Sequence, residues 1–186
     1  MSTNTIPDEG QCMALLRKHK TPDHIVMHSQ RVWEVGKLLG GELIARDHAI
    51  DMDLLRASCL LHDIGKYPCI LDGGGYHDVR GEEILEQEGY PRVARIVVQH
   101  VILRVSREDP VREEHLVYYS DKRVVHDEIV SLDSRFDYLE HTYGKSPAAL
   151  RGLARMKDLT IRVERDIFAL LDFRPGDVTE LLRRDR

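Results

Sequence analysis

The sequence predicts an all-α fold, and three observations support this prediction. Apolar residues recur at intervals of three or four in about eight segments, the spacing of an amphipathic helix. Short polar breaks that contain Gly or Pro separate these segments. No stretch shows the alternation with a period of two that is typical of a half-buried strand. The chain has 186 residues, the usual size of one domain. We therefore predict a single-domain helical protein.

The composition narrows the class of protein. Hydrophobic residues make up 42% of the chain and charged residues 32%, as in a globular protein with a substantial core. The net charge is −5 and the two signs are interspersed, so we expect no stable binding to nucleic acid. The N-terminus is polar and no apolar run approaches the roughly 18 residues of a membrane span, so we expect no membrane association. Three cysteines without a CxxC pair are typical of a reducing compartment, and we expect a cytoplasmic protein.

Two helices are predicted at the N-terminal end. The first covers about residues 8–20. The second begins at Thr21-Pro22, because Thr is a good N-cap and Pro is favoured at the first helical position. Its end is predicted near Leu39, because Gly40-Gly41 follows.

A third helix is predicted from about Asp51 to the His62-Asp63 pair. Gly65 is expected to end it, since glycine adopts the left-handed cap conformation without steric cost. Residues 67–76 contain a proline and three consecutive glycines, which indicates a loop.

The remaining helices are bounded by the same kinds of signal. Pro91 and Ser146-Pro147 indicate helix starts, Gly89 and Gly144 indicate ends, and Asp109-Pro110 indicates a break. The predicted helices cover about residues 77–88, 91–103, 111–125, 132–143 and 147–173, and a charged tail follows.

Five of the predicted helices each place one or two metal-binding side chains on the stripe that faces the core. These side chains are His28, His62, Asp63, His77, His100 and Asp121. Burying such groups costs several kcal/mol unless each one is paired or coordinated, and a metal centre would satisfy all of them at once. Four His and two Asp suit a divalent ion such as Fe, Mn, Ni, Co or Zn. Six ligands exceed what one ion usually takes, which favours two ions with Asp63 between them.

A purely structural interpretation remains open for each of these residues. A histidine on an apolar stripe is often a hydrogen-bonded core residue, and Asp121 can pair with Lys122 or Arg123. The joint placement of all six favours the metal centre. Among the other histidines, His24, His48, His115, His126 and His141 are not assigned to the site.

The order of these motifs resembles the HD superfamily of metal-dependent phosphohydrolases. The resemblance is carried by His28 with Ser29 and Arg31-Val32, by Leu61-His62-Asp63-Ile64-Gly65-Lys66, and by Ser120-Asp121-Lys122. His77, within segment 77–85, and His100 resemble the additional ligands of two-metal members. The resemblance covers about residues 20–130. It implies one HD domain over residues 1–186, with a helical extension at about 131–186.

The resemblance implies a function. It predicts hydrolysis of a phosphoester or phosphoanhydride, in a nucleotide or another small phosphorylated metabolite, by metal-activated water. Asp63 is expected to hold the attacking water in line and Lys66 to contact the phosphate. Arg31, three residues after His28, is a candidate to reach the same cavity.

Two other functions are compatible with the same residues. Some two-metal HD proteins are di-iron oxygenases, and the ligand set alone does not exclude that chemistry. A metal-binding or nucleotide-binding regulatory module without catalysis is the other alternative, which the intact ligand set disfavours. The oligomeric state is not predicted.

Overall fold

A computed structural model describes residues 5–106 and 108–184, so the N-terminal residues 1–4 of the predicted polar start lie outside the described part. Over the described residues the chain is helical apart from one small hairpin, which confirms the all-α prediction. The helices are α1 Glu9–Lys18, α2 Asp23–Ile44, α3 Met52–Leu61, α4 Lys66–Leu71, α5 His77–Gln87, α6 Pro91–Val97, α7 Glu113–Lys122, α8 Leu132–Tyr143, α9 Pro147–Phe168 and α10 Val178–Arg184. The two strands are β1 Val124–Val125 and β2 Glu128–Ile129.

Helix α3 lies at the centre of the fold. It packs against α1, α2, α6 and α7, and α2 and α7 also pack against each other. Leu55, Cys59 and Leu61 of α3 are fully buried in this core. The chain turn that follows α3 therefore emerges deep inside the molecule, between helices that arrive from distant parts of the sequence.

The second helix does not end at its glycine pair. It continues to Ile44, and Gly40 lies inside it at the contact with α3. A Cβ atom at Gly40 would lie 2.7 Å from Leu55 Cδ2 and 2.8 Å from Met52 Sδ. Gly40 therefore makes room for the side chains of α3 and does not end the helix. At the other end of α2, Pro22 rather than Thr21 occupies the N-cap position, and no side chain caps the helix there.

Gly65 also has a role different from the predicted one. Its φ angle is −77°, an ordinary right-handed conformation, so the prediction of a left-handed cap is wrong. A Cβ at this position would lie 2.2 Å from the carbonyl oxygen of His77 and 2.5 Å from the nitrogen of Gly81. The glycine lets the turn after α3 approach the backbone of α5. Helix α4 follows immediately, so the first half of the predicted loop is helical.

The C-terminal part departs from prediction in three places. The strands β1 and β2 form an antiparallel hairpin, with Val124 opposite Ile129, where the sequence predicted no strands. Helix α9 ends at Phe168, and a 3-10 turn at Pro175–Asp177 leads into α10. Helix α10 lies in the region predicted as a charged tail, and it packs against α2. Helix α6 ends at Val97, earlier than predicted, and residues 98–102 continue as turns. Among the described helices none is both long and apolar enough to cross a bilayer.

Candidate metal centre

The fold brings the six sequence-predicted side chains together. His28 comes from α2, His62 and Asp63 from the turn after α3, and Asp121 from the last turn of α7. His77 begins α5, and His100 lies in the turns that follow α6. Five of the six are buried; the side chain of His77 is 28% exposed.

Three of these histidines share one hydrogen-bonding pattern. Each places its Nδ1 atom against a backbone carbonyl oxygen: His28 on His126 at 2.8 Å, His62 on Cys59 at 2.8 Å, and His100 on Val97 at 2.7 Å. A carbonyl oxygen only accepts hydrogen bonds, so Nδ1 carries the proton in each ring. In the neutral ring the Nε2 atom is then left with its lone pair, and this second contact fixes the ring in the orientation that metal-binding histidines require.

The Nε2 atoms of His28 and His62 face carboxylate oxygens. Oδ1 of Asp121 lies 3.1 Å from Nε2 of His28 and 3.7 Å from Nε2 of His62. Oδ2 of Asp63 lies 3.4 Å from Nε2 of His62. The Nε2 atom of His62 is buried and has no hydrogen-bond partner among the described residues. Lone pairs that converge in this way repel one another, and a divalent cation among them would turn the repulsion into coordination, so the residues fit a metal.

The second oxygen atom of the Asp63 carboxylate faces another pair of histidines. Oδ1 of Asp63 lies 3.4 Å from Nε2 of His77 and 3.5 Å from Nε2 of His100. The two Nε2 atoms are themselves 3.1 Å apart. Asp63 therefore presents one oxygen atom to each of two histidine pairs.

The carboxylates of the cluster are held in their charged form. Burial alone raises the pKa of Asp63, but His62 and Lys66 outweigh burial and hold that pKa well below its usual value. Burial also raises the pKa of Asp121, but Lys122, the hydrogen bond with His28 and the Arg135 charge together outweigh burial and hold that pKa well below its usual value. Both carboxylates are thus ionised at neutral pH, the state that binds cations.

Two of the histidines are held neutral. Burial and the neighbouring His100 lower the pKa of His77 to about 4. The pKa of His100 is lowered as well, mainly by burial. His62 differs, because the adjacent Asp63 carboxylate outweighs burial and raises its pKa. A proton on His62 and a metal ion would therefore compete for the same nitrogen.

A cavity of about 350 Å³ opens beside this cluster. His28 and Asp63 form part of its wall, next to Lys66 of α4, whose Nζ atom lies 2.7 Å from Oδ2 of Asp63. The opposite helix α8 adds further lining residues: Arg135, Tyr138, Leu139 and Tyr143. A volume of this size suits a small organic ligand.

Arg31 does not reach this cavity. Its Nε atom donates to the carbonyl oxygen of Asp127 at 3.1 Å, and its guanidinium pairs with Glu34 at 2.6 Å. It lines a different cavity, together with residues of α10 such as Leu182. The role of Arg31 at the substrate therefore stays a prediction, and its side chain is held by Asp127 and Glu34 instead.

The sequence analysis also missed residues that belong to the site. His24 and His126, which were left unassigned, both line the cavity, and His126 supplies the carbonyl that orients His28. The spacing of His24, one helical turn before His28, is a signal that could have found it. Arg135 had no such signal, since nothing in the sequence links it to Asp121.

Residues 25–124 match the HD domain family. This match covers more than half of the chain, so the protein belongs to the HD domain family. HD domains are generally hydrolase-like and bind divalent metals, and the clustered His and Asp residues offer such an ion a place.

Several curated proteins are similar to this chain. A tRNA (cytidine(56)-2'-O)-methyltransferase of Picrophilus torridus is 29% identical over 176 residues, which cover 87% of this chain and 49% of that protein. A protein of the same name from Thermoplasma volcanium is 35% identical over 108 residues, covering 58% of this chain and 30% of that protein. An uncharacterized protein of Methanocaldococcus jannaschii is 24% identical over 155 residues, covering 76% of this chain and 90% of that protein. The chain thus spans half or less of the two methyltransferases. No solved structure shows a significant match.

Proposed function

We propose that this protein is a metal-dependent phosphohydrolase. Its substrate would be a phosphoester or phosphoanhydride of a nucleotide or another small phosphorylated metabolite. The observation that carries the proposal is the orientation of His28, His62 and His100. Their Nδ1 protons are fixed on backbone carbonyls, and their Nε2 atoms converge on carboxylates at the wall of an open cavity.

The proposed metal ligands fall into two sets that share Asp63. His28, His62 and Asp121 lie on the side of its Oδ2 atom, and His77 and His100 lie on the side of its Oδ1 atom. This division supports two divalent ions, of Fe, Mn, Ni, Co or Zn, with Asp63 between them. When bound, such ions supply an activated water and neutralise charge on the phosphate.

The residues of this chain would contribute binding and orientation. Asp63 accepts a hydrogen bond from the attacking water and holds it in line with the scissile bond. Lys66 has three N–H donors, of which its contact with Asp63 uses one, so two remain for phosphate oxygens. Its side chain is 40% exposed at the cavity, where a substrate can reach it. Lys122, 2.7 Å from Asp121, keeps that carboxylate charged from the side away from His28.

The first experiment is metal analysis by mass spectrometry on untagged protein purified without added metal. The wild type is compared with Asp63→Ala and with the matched control Asp53→Ala, an exposed carboxylate that pairs with Arg56 on the surface of α3. We expect about two metal ions per chain in the wild type and the control, and their loss in Asp63→Ala. A screen of phosphoesters with the metal-loaded protein then identifies the substrate class.

Other outcomes would change the proposal. One ion per chain would reduce the centre to His28, His62, Asp63 and Asp121. No ion after reloading with Mn, Fe, Ni and Zn would contradict the catalytic proposal and leave a helical binding module. Oxygen consumption by the iron-loaded protein would favour the di-iron oxygenase, and tight nucleotide binding without turnover would favour the regulatory module.

A second candidate function is hydrolysis of a phosphoester in RNA. The two methyltransferase relatives act on tRNA by name. Helix α9 brings three arginines and Asp158 to the wall of one cavity. The arginines are Arg155, Arg162 and Arg165, and the cavity has a volume of about 450 Å³. Clustered arginines suit a phosphate backbone, contrary to the sequence expectation of no stable nucleic-acid binding.

Fluorescence anisotropy with a tRNA transcript tests this candidate. We expect binding that weakens with salt and is lost in an Arg155→Ala/Arg162→Ala double variant, but is retained in Arg17→Ala, an exposed arginine of α1. Absence of tRNA binding at low salt would contradict it. Methyl transfer from S-adenosylmethionine to tRNA by this chain alone would instead assign it the activity in the relatives' name.

A further inference from the structure

Arg135 brings a positive charge to the cavity from outside the part of the chain that matches the HD family. It lies in the first turn of α8, which begins after the matched residues 25–124. Ser131 fixes the start of this helix by accepting a hydrogen bond from the backbone N–H of Ser134 at 3.2 Å. The Arg135 side chain is only 12% exposed, and it lines the cavity together with Lys66.

The guanidinium of Arg135 is poorly satisfied by the protein. Its Nε atom is buried without a hydrogen-bond partner among the described residues. Its nearest carboxylate contact is Oδ1 of Asp121, at 3.5 Å, and the ring of Tyr138 lies 5.9 Å away. A buried donor without a partner costs about 1–3 kcal/mol. The described residues therefore leave part of this guanidinium unsatisfied beside the cavity.

Arg123, another buried arginine, shows the contrast. Its Nε atom donates to the carbonyl oxygen of Val130 at 2.7 Å, and its terminal nitrogen donates to the hydroxyl of Tyr119 at 2.6 Å. These contacts explain Arg123 as a structural residue that fixes β2 and α7. Within residues 5–106 and 108–184, no comparable set of acceptors surrounds Arg135.

Once metal is bound, the site carries an excess of positive charge, to which Arg135 contributes. The acidic groups of the cluster and cavity are Asp63, Asp121 and Asp127, and the basic groups are Lys66, Lys122 and Arg135. These formal charges sum to zero, so each divalent ion adds two positive charges. Asp121 already pairs with Lys122 at 2.7 Å, a closer contact than the 3.5 Å that separates it from Arg135. The loaded site thus attracts a multiply charged anion.

We propose that Arg135 binds the phosphate of the substrate together with Lys66, and that the substrate carries a terminal phosphoryl group. This inference rests on the proposed phosphohydrolase function. Arginine presents a planar fork that engages two phosphate oxygens, whereas lysine acts as a point charge. The fork takes two free phosphoryl oxygens and the metal centre takes a third, while Lys66 donates to one of these same oxygens. A phosphomonoester or a terminal phosphoanhydride offers three, and a phosphodiester offers two.

The test uses metal-loaded protein and inorganic phosphate as the probe. Arg135→Ala and Arg135→Lys are compared with the wild type and with Arg56→Ala. Arg56 is a suitable control because its Nε is also buried without a partner, while its guanidinium pairs with Asp53 on the surface of α3. Circular dichroism and metal content are measured first, and we expect both to be unchanged in all variants.

Calorimetric titration should then show phosphate binding weakened about tenfold or more in Arg135→Ala, partly restored in Arg135→Lys and unchanged in Arg56→Ala. With p-nitrophenyl phosphate, KM should rise more than kcat falls. Hydrolysis of bis(p-nitrophenyl) phosphate by the wild type should be weak and insensitive to Arg135→Ala.

The outcomes separate this inference from the function on which it rests. Unchanged phosphate binding in a folded, metal-loaded Arg135→Ala overturns the role of Arg135, even if hydrolysis is observed. Loss of metal in both Arg135 variants also overturns it, because Arg135 would then only position Asp121. Weakened phosphate binding in a protein that hydrolyses no phosphoester supports the anion site and refutes the hydrolase.

Discussion

Replacement of Gly65 by alanine is the most direct test of how the fold builds the site. The backbone conformation of Gly65, with φ of −77°, is open to any residue, so the effect of the substitution is steric. The new Cβ would meet the carbonyl oxygen of His77 at 2.2 Å and the nitrogen of Gly81 at 2.5 Å. Both are backbone atoms of α5, which no side-chain rotation can move away.

The magnitude follows from the distance that α5 must retreat. To reach ordinary van der Waals contact the His77 carbonyl has to move by roughly 1 Å. Overpacking of this kind costs about 1–3 kcal/mol. The same movement draws the imidazole of His77 away from Asp63, which it now faces at 3.4 Å. We therefore expect loss of stability together with loss of metal from the His77 side of the cluster.

Gly41→Ala is the matched control. Gly41 lies in helix α2, and a Cβ there meets no atom within 4 Å. Alanine in place of an exposed helical glycine stabilises by about 0.5–1 kcal/mol. Urea unfolding should therefore give the highest free energy of unfolding for Gly41→Ala, a lower one for the wild type and the lowest for Gly65→Ala. Metal content should be reduced only in Gly65→Ala. Gly65→Ala with wild-type stability and full metal content would refute the reasoning.

Three further predictions concern other parts of the molecule. Chelation of bound metal should lower the midpoint of thermal unfolding, because a ligand at about one hundred times its Kd stabilises the folded state by roughly 2.7 kcal/mol. An unchanged midpoint in a protein that had contained metal would contradict the metal centre. Cys12 and Cys59 are buried, whereas Cys69 is half-buried; burial raises the pKa of all three thiols, that of Cys12 to about 12. At pH 8 we therefore expect Ellman's reagent to modify only the accessible Cys69 in the folded protein and all three thiols after unfolding, while rapid reaction of three thiols in the folded state would contradict the burial. Ser146→Ala should lower the free energy of unfolding in urea by about 1 kcal/mol, because the Ser146 side chain accepts a hydrogen bond from the Ala149 N–H at the start of α9. An unchanged free energy of unfolding would mean that this cap contributes nothing.

The sequence was most informative where the signal is local. Helix α8 spans Leu132–Tyr143 as predicted, and α9 begins after the predicted cap at Ser146. Capping residues and apolar periodicity depend on neighbours within one or two turns, so they can be seen without the fold. The same periodicity placed His28 and Asp121 on core-facing stripes, and the structure brings them within 3.1 Å of each other.

The sequence was least informative where a residue acts through a distant segment. Gly40 and Gly65 were interpreted as helix ends, although they make room for Leu55 and for the backbone of α5. Nothing local separates a glycine needed for a turn from one needed for close packing, because both simply lack a Cβ. The hairpin of β1 and β2 was not predicted either, because strands of two residues are too short to show alternation.

For this protein the sequence by itself determined the helical class, several helix boundaries and the set of side chains proposed as metal ligands. Those properties follow from residue chemistry and from the 3.6-residue period of the helix. Only the tertiary structure decided which atoms of those side chains face one another. It assigned one oxygen of Asp63 to each histidine pair and placed Arg135 instead of Arg31 beside Lys66. The physical reason is that helix packing sets the rotation and approach of each helix, and packing is a property of contacts between segments far apart in the chain.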